Sequence, residues 1–174
     1  YAHTHGVVHR DIKPPNILTG PFGETTLLDW GLAKVWNEVP APLPDLPLLF
    51  AKDPSLTAQG RLQGTLHYMS PEQIEASPRL DHRTDIYSMG VVLWEILAGR
   101  PMLEGDDVQD LLHQVKNVVP PRPSAVATDR QIPKQLEDIC MRCIAKDPDE
   151  RIGNARRLVS ALRSWRLRWA AETR

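Results

Sequence analysis

The stretch from Asp85 to Ala98 constrains the fold more than any other part of the chain. Ile86, Tyr87, Met89, Val91, Val92, Leu93, Trp94, Ile96 and Leu97 leave a helix with hardly a polar side. Such a helix belongs in the centre of a domain, with other elements packed around it. It is too short to cross a bilayer, and Gly99 and Pro101 stop it. Amphipathic patterns downstream supply a layer to surround it. Asp106 or Asp107 can cap a helix whose stripe is Val108, Leu111, Leu112 and Val115. Pro133 can open a second, with Leu136, Ile139, Cys140, Cys143 and Ile144 at i, i+3, i+4, i+7 and i+8. Asn154 precedes a last helix, with Leu158, Ala161, Leu162, Trp165 and Trp169 on one side and Arg156, Arg157, Arg163, Arg166 and Arg168 on the rest. A length of 174 residues, 41% of them apolar and 25% charged, suits one mainly α domain or a large piece of one.

The chemistry-bearing residues lie before this helical block. Tyr1 to Gly6 reads as the end of a helix, and Val7-Val8 as an extended entry to His9-Arg10-Asp11-Ile12-Lys13-Pro14-Pro15-Asn16. In that loop Asp11 can accept a hydroxyl proton, Lys13 can steady a migrating phosphoryl group, and Asn16 can offer an oxygen to Mg²⁺. Two apolar runs follow, Asn16 to Thr19 and Thr25 to Leu28, joined by Gly20-Pro21-Phe22-Gly23-Glu24, which reads as a hairpin. In an antiparallel pair the start of one strand lies beside the end of the other, so Asn16 and Asp29 converge on a spot that suits an oxygen-seeking cation.

Other features have plainer readings. Cys140 and Cys143 form a C-x-x-C, but they fall on an apolar helix stripe with no second pair to complete a zinc site, so they are assigned to the core as reduced thiols. Reduced thiols suit a cytoplasmic setting. His3 and His5 are helix-end histidines without acidic or thiol company, and solvation or hydrogen bonding accounts for them. A net charge of -1 provides no field for nucleic acid or anionic lipid. Arginines on the last helix are taken as a solvated face, so membrane contact is expected only through segments outside this chain. From Val39 to Pro54 repeated prolines forbid regular structure and indicate a long loop.

The octet from His9 to Asn16 resembles the catalytic loop of the protein kinases, H-R-D-x-K-x-x-N. Further matches follow in order. Asp29-Trp30-Gly31 is similar to the kinase D-F-G, with Trp for Phe, and Gly64 to Glu72 resembles the G-T-x-x-Y-M-[AS]-P-E that closes the activation segment. Asp85, Ser88 and Gly90 match D-x-x-S-x-G, and Arg151 is the candidate partner of Glu72. Ser70 and Gln73 look like bacterial serine/threonine kinases.

This resemblance implies the helical C-terminal lobe of the kinase fold over residues 1–165, with a short β-hairpin near the catalytic loop and 166–174 as the basic end of the last helix. It implies a catalytic loop at 9–16, an activation segment at 29–72 enlarged by an insertion, and a central helix at 85–98. It implies transfer of the γ-phosphoryl of ATP to Ser or Thr of protein substrates, with Asp11 as base, Lys13 on the phosphoryl group, and Asn16 and Asp29 on Mg²⁺. Thr65 is expected to position the substrate hydroxyl near Asp11 and Lys13. His9, Arg10, Gly31, Glu72, Asp85 and Arg151 take structural or regulatory places, Asp85 by bonding the backbone of the catalytic loop. Thr57 and Ser55 are the candidate phosphosites. Neither G-x-G-x-x-G nor V-A-I-K occurs, so the chain reads as a fragment, inactive alone, of a cytoplasmic kinase or of the cytoplasmic part of a membrane-anchored one. The alternatives are a non-catalytic scaffold and a small-molecule phosphotransferase. Retention of Asp11, Lys13, Asn16 and Asp29 argues against the first, and the Gly64 to Glu72 match with Arg151 against the second.

Overall fold

A computed structural model describes residues 1–36, 64–78, 80–105 and 107–172. The proline-rich stretch, together with Ser55 and Thr57, lies outside the described residues. A 3-10 turn at Ala2–His5 ends where Gly6 turns left-handed at φ 73, a conformation glycine adopts without penalty. The expected helix end is thus a 3-10 turn, and Val7–Val8 is a short strand, β1. Strands β2 (Ile17–Thr19) and β3 (Thr25–Leu27) form the expected hairpin, in register Ile17 with Leu27 and Thr19 with Thr25. Asn16 sits in a 3-10 turn, Pro14–Asn16, at the hairpin's entrance. Strand β4 (Lys34–Val35) returns antiparallel to β1, a pairing of two-residue strands too short to leave a pattern in sequence.

The helices are α1 (Pro71–Ile74), α2 (Arg83–Ala98), α3 (Val108–Asn117), α4 (Pro123–Val126), α5 (Lys134–Cys143) and α6 (Ala155–Glu172). Helix α2 is buried on two sides. Tyr87, Val91, Trp94 and Ala98 pack with Leu111 and Val115 of α3 and Cys140 of α5, while Ile86 joins Ile139, Cys143, Ile152 and Leu158 on the other side. This accounts for its lack of a polar face over most of its length, but burial is not all-round: near its C-terminus Ile96 is 66% exposed. Cys140 and Cys143 are both buried, and burial raises both thiols well above their ordinary pKa.

Helices α2 and α5 approach closely because Gly90 has no side chain. A Cβ there would sit 2.5 Å from Cys143 Cβ and 2.7 Å from Ile144 Cγ2. Helix ends are finished by side chains. Asp107 caps α3 by accepting from Asp110 N–H. At the far end of α3, Lys146 Nζ donates to the Gln114 and Val115 carbonyls, and burial lowers its pKa to about 8. On α6 the inward set is Leu158, Ala161, Leu162 and Trp165. Trp169, placed on that side by periodicity, is 42% exposed and stacks with Trp165, centroids 6.3 Å apart.

Candidate active site

The catalytic-loop residues stand on a base set by α2. Asp85, in the first turn of α2, does not cap the helix, whose N-cap His82 makes no side-chain capping bond. Its buried carboxylate instead accepts from His9 N–H at 2.9 Å, Arg10 N–H at 2.8 Å and His3 Nε2 at 2.8 Å. His3, assigned from sequence to solvation or hydrogen bonding without acidic company, thus completes the anchor; its acidic partner lies 82 residues away, where no spacing signals it. His9 Nδ1 accepts from Asp11 N–H at 3.2 Å, so Nε2 carries the proton it donates to Leu28 O at 3.0 Å. The imidazole therefore ties the loop to the end of the hairpin.

Asp11 is buried, and its Oδ2 accepts from Lys13 Nζ at 2.9 Å and from Asn16 Nδ2 at 3.0 Å. Asn16 Nδ2 also donates to Asp11 O at 2.8 Å. With the nitrogen committed to two acceptors, the orientation of the amide is set and its oxygen is left for another ligand. Lys13 Nζ reaches on to Thr65 Oγ1 at 2.9 Å, 52 residues away, so Asp11, Lys13 and Thr65 form one chain of contacts.

Asp29 lies one residue beyond Leu28, whose N–H donates to Asn16 O at 2.8 Å. It is exposed, adopts a left-handed backbone with φ 60, and accepts from Gly31 N–H at 3.3 Å. Asp tolerates that region better than most residues, and outliers of this kind cluster where function fixes the backbone. Trp30 packs its ring edge-on to His9, centroids 4.6 Å apart at 67°, and donates its indole N–H to Leu27 O at 3.0 Å. The Leu28 bond keeps Asn16 and Asp29 near each other, and an amide oxygen with a carboxylate is a donor set that suits Mg²⁺, which takes few protein ligands and fills the rest with water and phosphate oxygens.

Glu72 and Arg151 meet bidentately, Nη1 to Oε1 at 2.6 Å and Nη2 to Oε2 at 2.8 Å, both buried. The other guanidinium N–H groups donate to the carbonyls of Ala145, Lys146 and Arg83, so all five donors are used. The guanidinium lies 5.0 Å from the Tyr87 ring centroid. A pair this completely bonded escapes the usual cost of burying charge. Arg10 has φ 70, and its Nε is buried with no hydrogen-bond partner among the described residues. Burial lowers its pKa, against the pull of Asp85.

A helical lobe that presents an acid, a lysine and an amide on one loop, beside a carboxylate at the end of a hairpin, is the kind of scaffold phosphotransferases use. The chain belongs to the protein kinase domain family, whose model matches residues 1–162. It is 32% identical over 167 residues to the serine/threonine-protein kinase PknD of Protochlamydia amoebophila, covering 95% of this chain and 17% of that protein. It is 36% identical over 153 residues to the protein of the same name from Chlamydia abortus, covering 87% and 16%. It is 34% identical over 155 residues to a probable serine/threonine-protein kinase PknB of Bifidobacterium longum, covering 89% and 20%. The chain therefore spans 20% or less of the length of these relatives.

Proposed function

We propose that the protein containing this chain is a serine/threonine protein kinase that moves the γ-phosphoryl group of ATP to hydroxyls of protein substrates. The observation that carries the reading is the linked set Asp11, Lys13, Asn16 and Thr65. In the proposed step the acceptor hydroxyl oxygen bonds to the γ-phosphorus as the bond to the ADP oxygen breaks, and the hydroxyl proton passes to the Asp11 carboxylate. Lys13 stands between Asp11 and Thr65, where it would neutralise the charge spread over the phosphoryl oxygens, and Thr65 would orient the acceptor. Mg²⁺, held by Asn16 and Asp29 together with the nucleotide phosphates, would supply charge neutralisation at the transferred group. Leu18, Leu28, Trp30, Leu32 and Val35 are exposed along the chain on either side of Asp29, an apolar margin that a second lobe and the nucleotide base would cover. Among the described residues no helix is long and apolar enough to cross a membrane. The requirement for ATP favours a cytoplasmic location.

Arg10 fits a regulatory role in the same reading. A partly buried guanidinium with an unused Nε would be completed by a phosphate on Thr57 or Ser55, which would draw the activation segment toward the loop. The test is incubation of the complete protein with γ-labelled ATP and a protein acceptor, beside the 174-residue chain alone. Labelled phosphoserine or phosphothreonine is expected from the complete protein only, with phosphopeptide mapping placing autophosphorylation on Thr57 or Ser55. Label transferred to aminoglycosides and not to protein would overturn the substrate class; label on neither segment residue would remove the role given to Arg10.

A further inference from the structure

The backbone just before the proposed base is held in a conformation that needs support. Arg10 has φ 70, a region L-residues other than Asn and Asp seldom occupy unless their surroundings enforce it. Two buried side chains do so. Asp85 Oδ1 takes the Arg10 N–H at 2.8 Å, and Gln73 Nε2 donates to the Arg10 carbonyl at 2.8 Å. That carbonyl belongs to the peptide unit leading into Asp11, whose N–H is taken in turn by His9 Nδ1 at 3.2 Å. The Arg10–Asp11 peptide is therefore pinned at its oxygen by Gln73 and at its nitrogen by His9, and a rotation of that peptide would swing the Asp11 carboxylate.

Gln73 is itself fixed. It is only 7% exposed, and its Oε1 accepts from Ser70 N–H at 3.0 Å, from Thr84 Oγ1 at 3.0 Å and from Ser70 Oγ at 3.3 Å. The Ser70 N–H can only donate and the Arg10 carbonyl can only accept, which identifies the first atom as the oxygen and leaves Nε2 facing Arg10. The Ser70–Gln73 exchange is a capping box at the start of α1. A capping box needs only the oxygen, and glutamate at this position would serve as well and suit the helix dipole better. The nitrogen end of Gln73 does nothing for the cap; its sole hydrogen bond among the described residues goes to Arg10. Helix α1 is tied to the rest of the lobe next door, through Glu72 and Arg151.

We propose that Gln73 is a positioning residue for the base: its side-chain amide clamps the Arg10–Asp11 peptide and so aims the Asp11 carboxylate. This rests on the reading of Asp11 as the base. Gln73→Glu separates the two ends of the amide, because it keeps an oxygen for Ser70 and Thr84 and replaces the donor to Arg10 with an acceptor. In the complete protein it is expected to lower the single-turnover rate of phosphoryl transfer about 10- to 100-fold, the scale of a misplaced catalytic group, with the KM for ATP within about twofold of the parent. Gln73→Met, uncharged and of similar length, is expected to lower the same rate and serves if the glutamate variant does not fold. Ser70→Ala, which weakens the cap and leaves the bond to Arg10, is expected to lower Tm by a few degrees while the rate stays within about threefold.

Rates within threefold of the parent for the glutamate or methionine variant would overturn the clamp, as would a Ser70→Ala loss as large as theirs. If the complete parent protein transfers no phosphate, the kinase reading fails and the clamp is decided separately by hydrogen exchange in the peptide spanning residues 9–13. Exchange about tenfold faster in the Gln73 variant at unchanged Tm supports it, and unchanged exchange overturns it.

Discussion

The two acidic residues assigned to the reaction sit in opposite surroundings. Asp11 is buried, bonded to Lys13 and Asn16, and stands on a loop whose backbone is taken up by Asp85, His9 and Gln73. Asp29 is exposed and accepts one long backbone bond, with apolar neighbours Leu28, Trp30 and Leu32 open to solvent. The helices beneath the loop thus hold the proposed base through several hydrogen bonds, whereas the proposed metal ligand Asp29 is held by one. In the proposed reaction, proton transfer would depend on groups this chain supplies, and metal binding also on what covers the edge.

Mutating each acid sharpens that contrast, and these changes should have the largest effects. In the complete protein Asp11→Asn is expected to lower kcat by about 10²- to 10⁴-fold, the range for loss of a general base. Asp29→Asn is expected to lower it by about 10²- to 10³-fold, as when one electrostatic stabiliser is removed. Titrating Mg²⁺ distinguishes them: excess Mg²⁺ should recover part of the Asp29→Asn loss and none of the Asp11→Asn loss. Equal responses to Mg²⁺ would erase the distinction between base and metal ligand.

Next in size is a test of stability on the buried side. Arg151→Met leaves Glu72 buried and unpaired, at a cost of about 3–5 kcal/mol by urea unfolding. The same measurement on Asp29→Asn, at the exposed edge, should stay within about 0.5 kcal/mol of the parent. A small loss for Arg151→Met would mean that water reaches Glu72, and the division into a closed side and an open side would not hold.

How much of this was legible in the sequence follows from the same contrast. The buried side was legible because it is built from periodic stripes, such as Leu111 and Val115 or Ile139 and Cys143, and because the resemblance to kinases paired Glu72 with Arg151. The hairpin register that brings Asn16 near Asp29 followed from two short apolar runs and a glycine-flanked turn. What sequence could not show were contacts with no period and no local partner. His3 on Asp85 spans 82 residues and Gln73 on Arg10 spans 63, and neither residue type announces its acceptor. Ser70 and Gln73 were singled out only for their likeness to bacterial kinases; the capping box they form and the bond from the free end of the amide came from the structure. The β1–β4 pair and α4 are too short to impose a pattern.

A smaller loss is expected at the contact between α2 and α5. Gly90→Ala would place a methyl group 2.5 Å from Cys143 Cβ and 3.2 Å from the Cys143 backbone carbon, so a helix must move. Overpacking of this kind costs about 1–3 kcal/mol. Because both thiols are buried beside the contact and burial holds them protonated, their labelling by a disulfide reagent reports the opening of that contact. Labelling should be faster in Gly90→Ala, while the Mg²⁺ requirement of the complete protein should not change.

The smallest expected effect belongs to the open side, at Trp30. Its ring meets His9 edge-on, and its indole N–H reaches Leu27 O at 3.0 Å, which fastens the turn after Asp29 to strand β3. Phenylalanine would keep the ring and lose the donor. A neutral hydrogen bond contributes about 0.5–1.5 kcal/mol, and at a site 44% exposed the lower end applies. Trp30→Phe should therefore raise the Mg²⁺ concentration for half-maximal activity about two- to threefold, since 1.4 kcal/mol is tenfold in an equilibrium. Global stability should barely move, because the bond lies at the edge and not in the core. Trp30→Leu removes the ring contact with His9 as well, and should shift the requirement further. If Trp30→Phe matches the parent while Trp30→Leu does not, ring packing alone holds Asp29 in place and the indole bond has no part in ordering the metal edge.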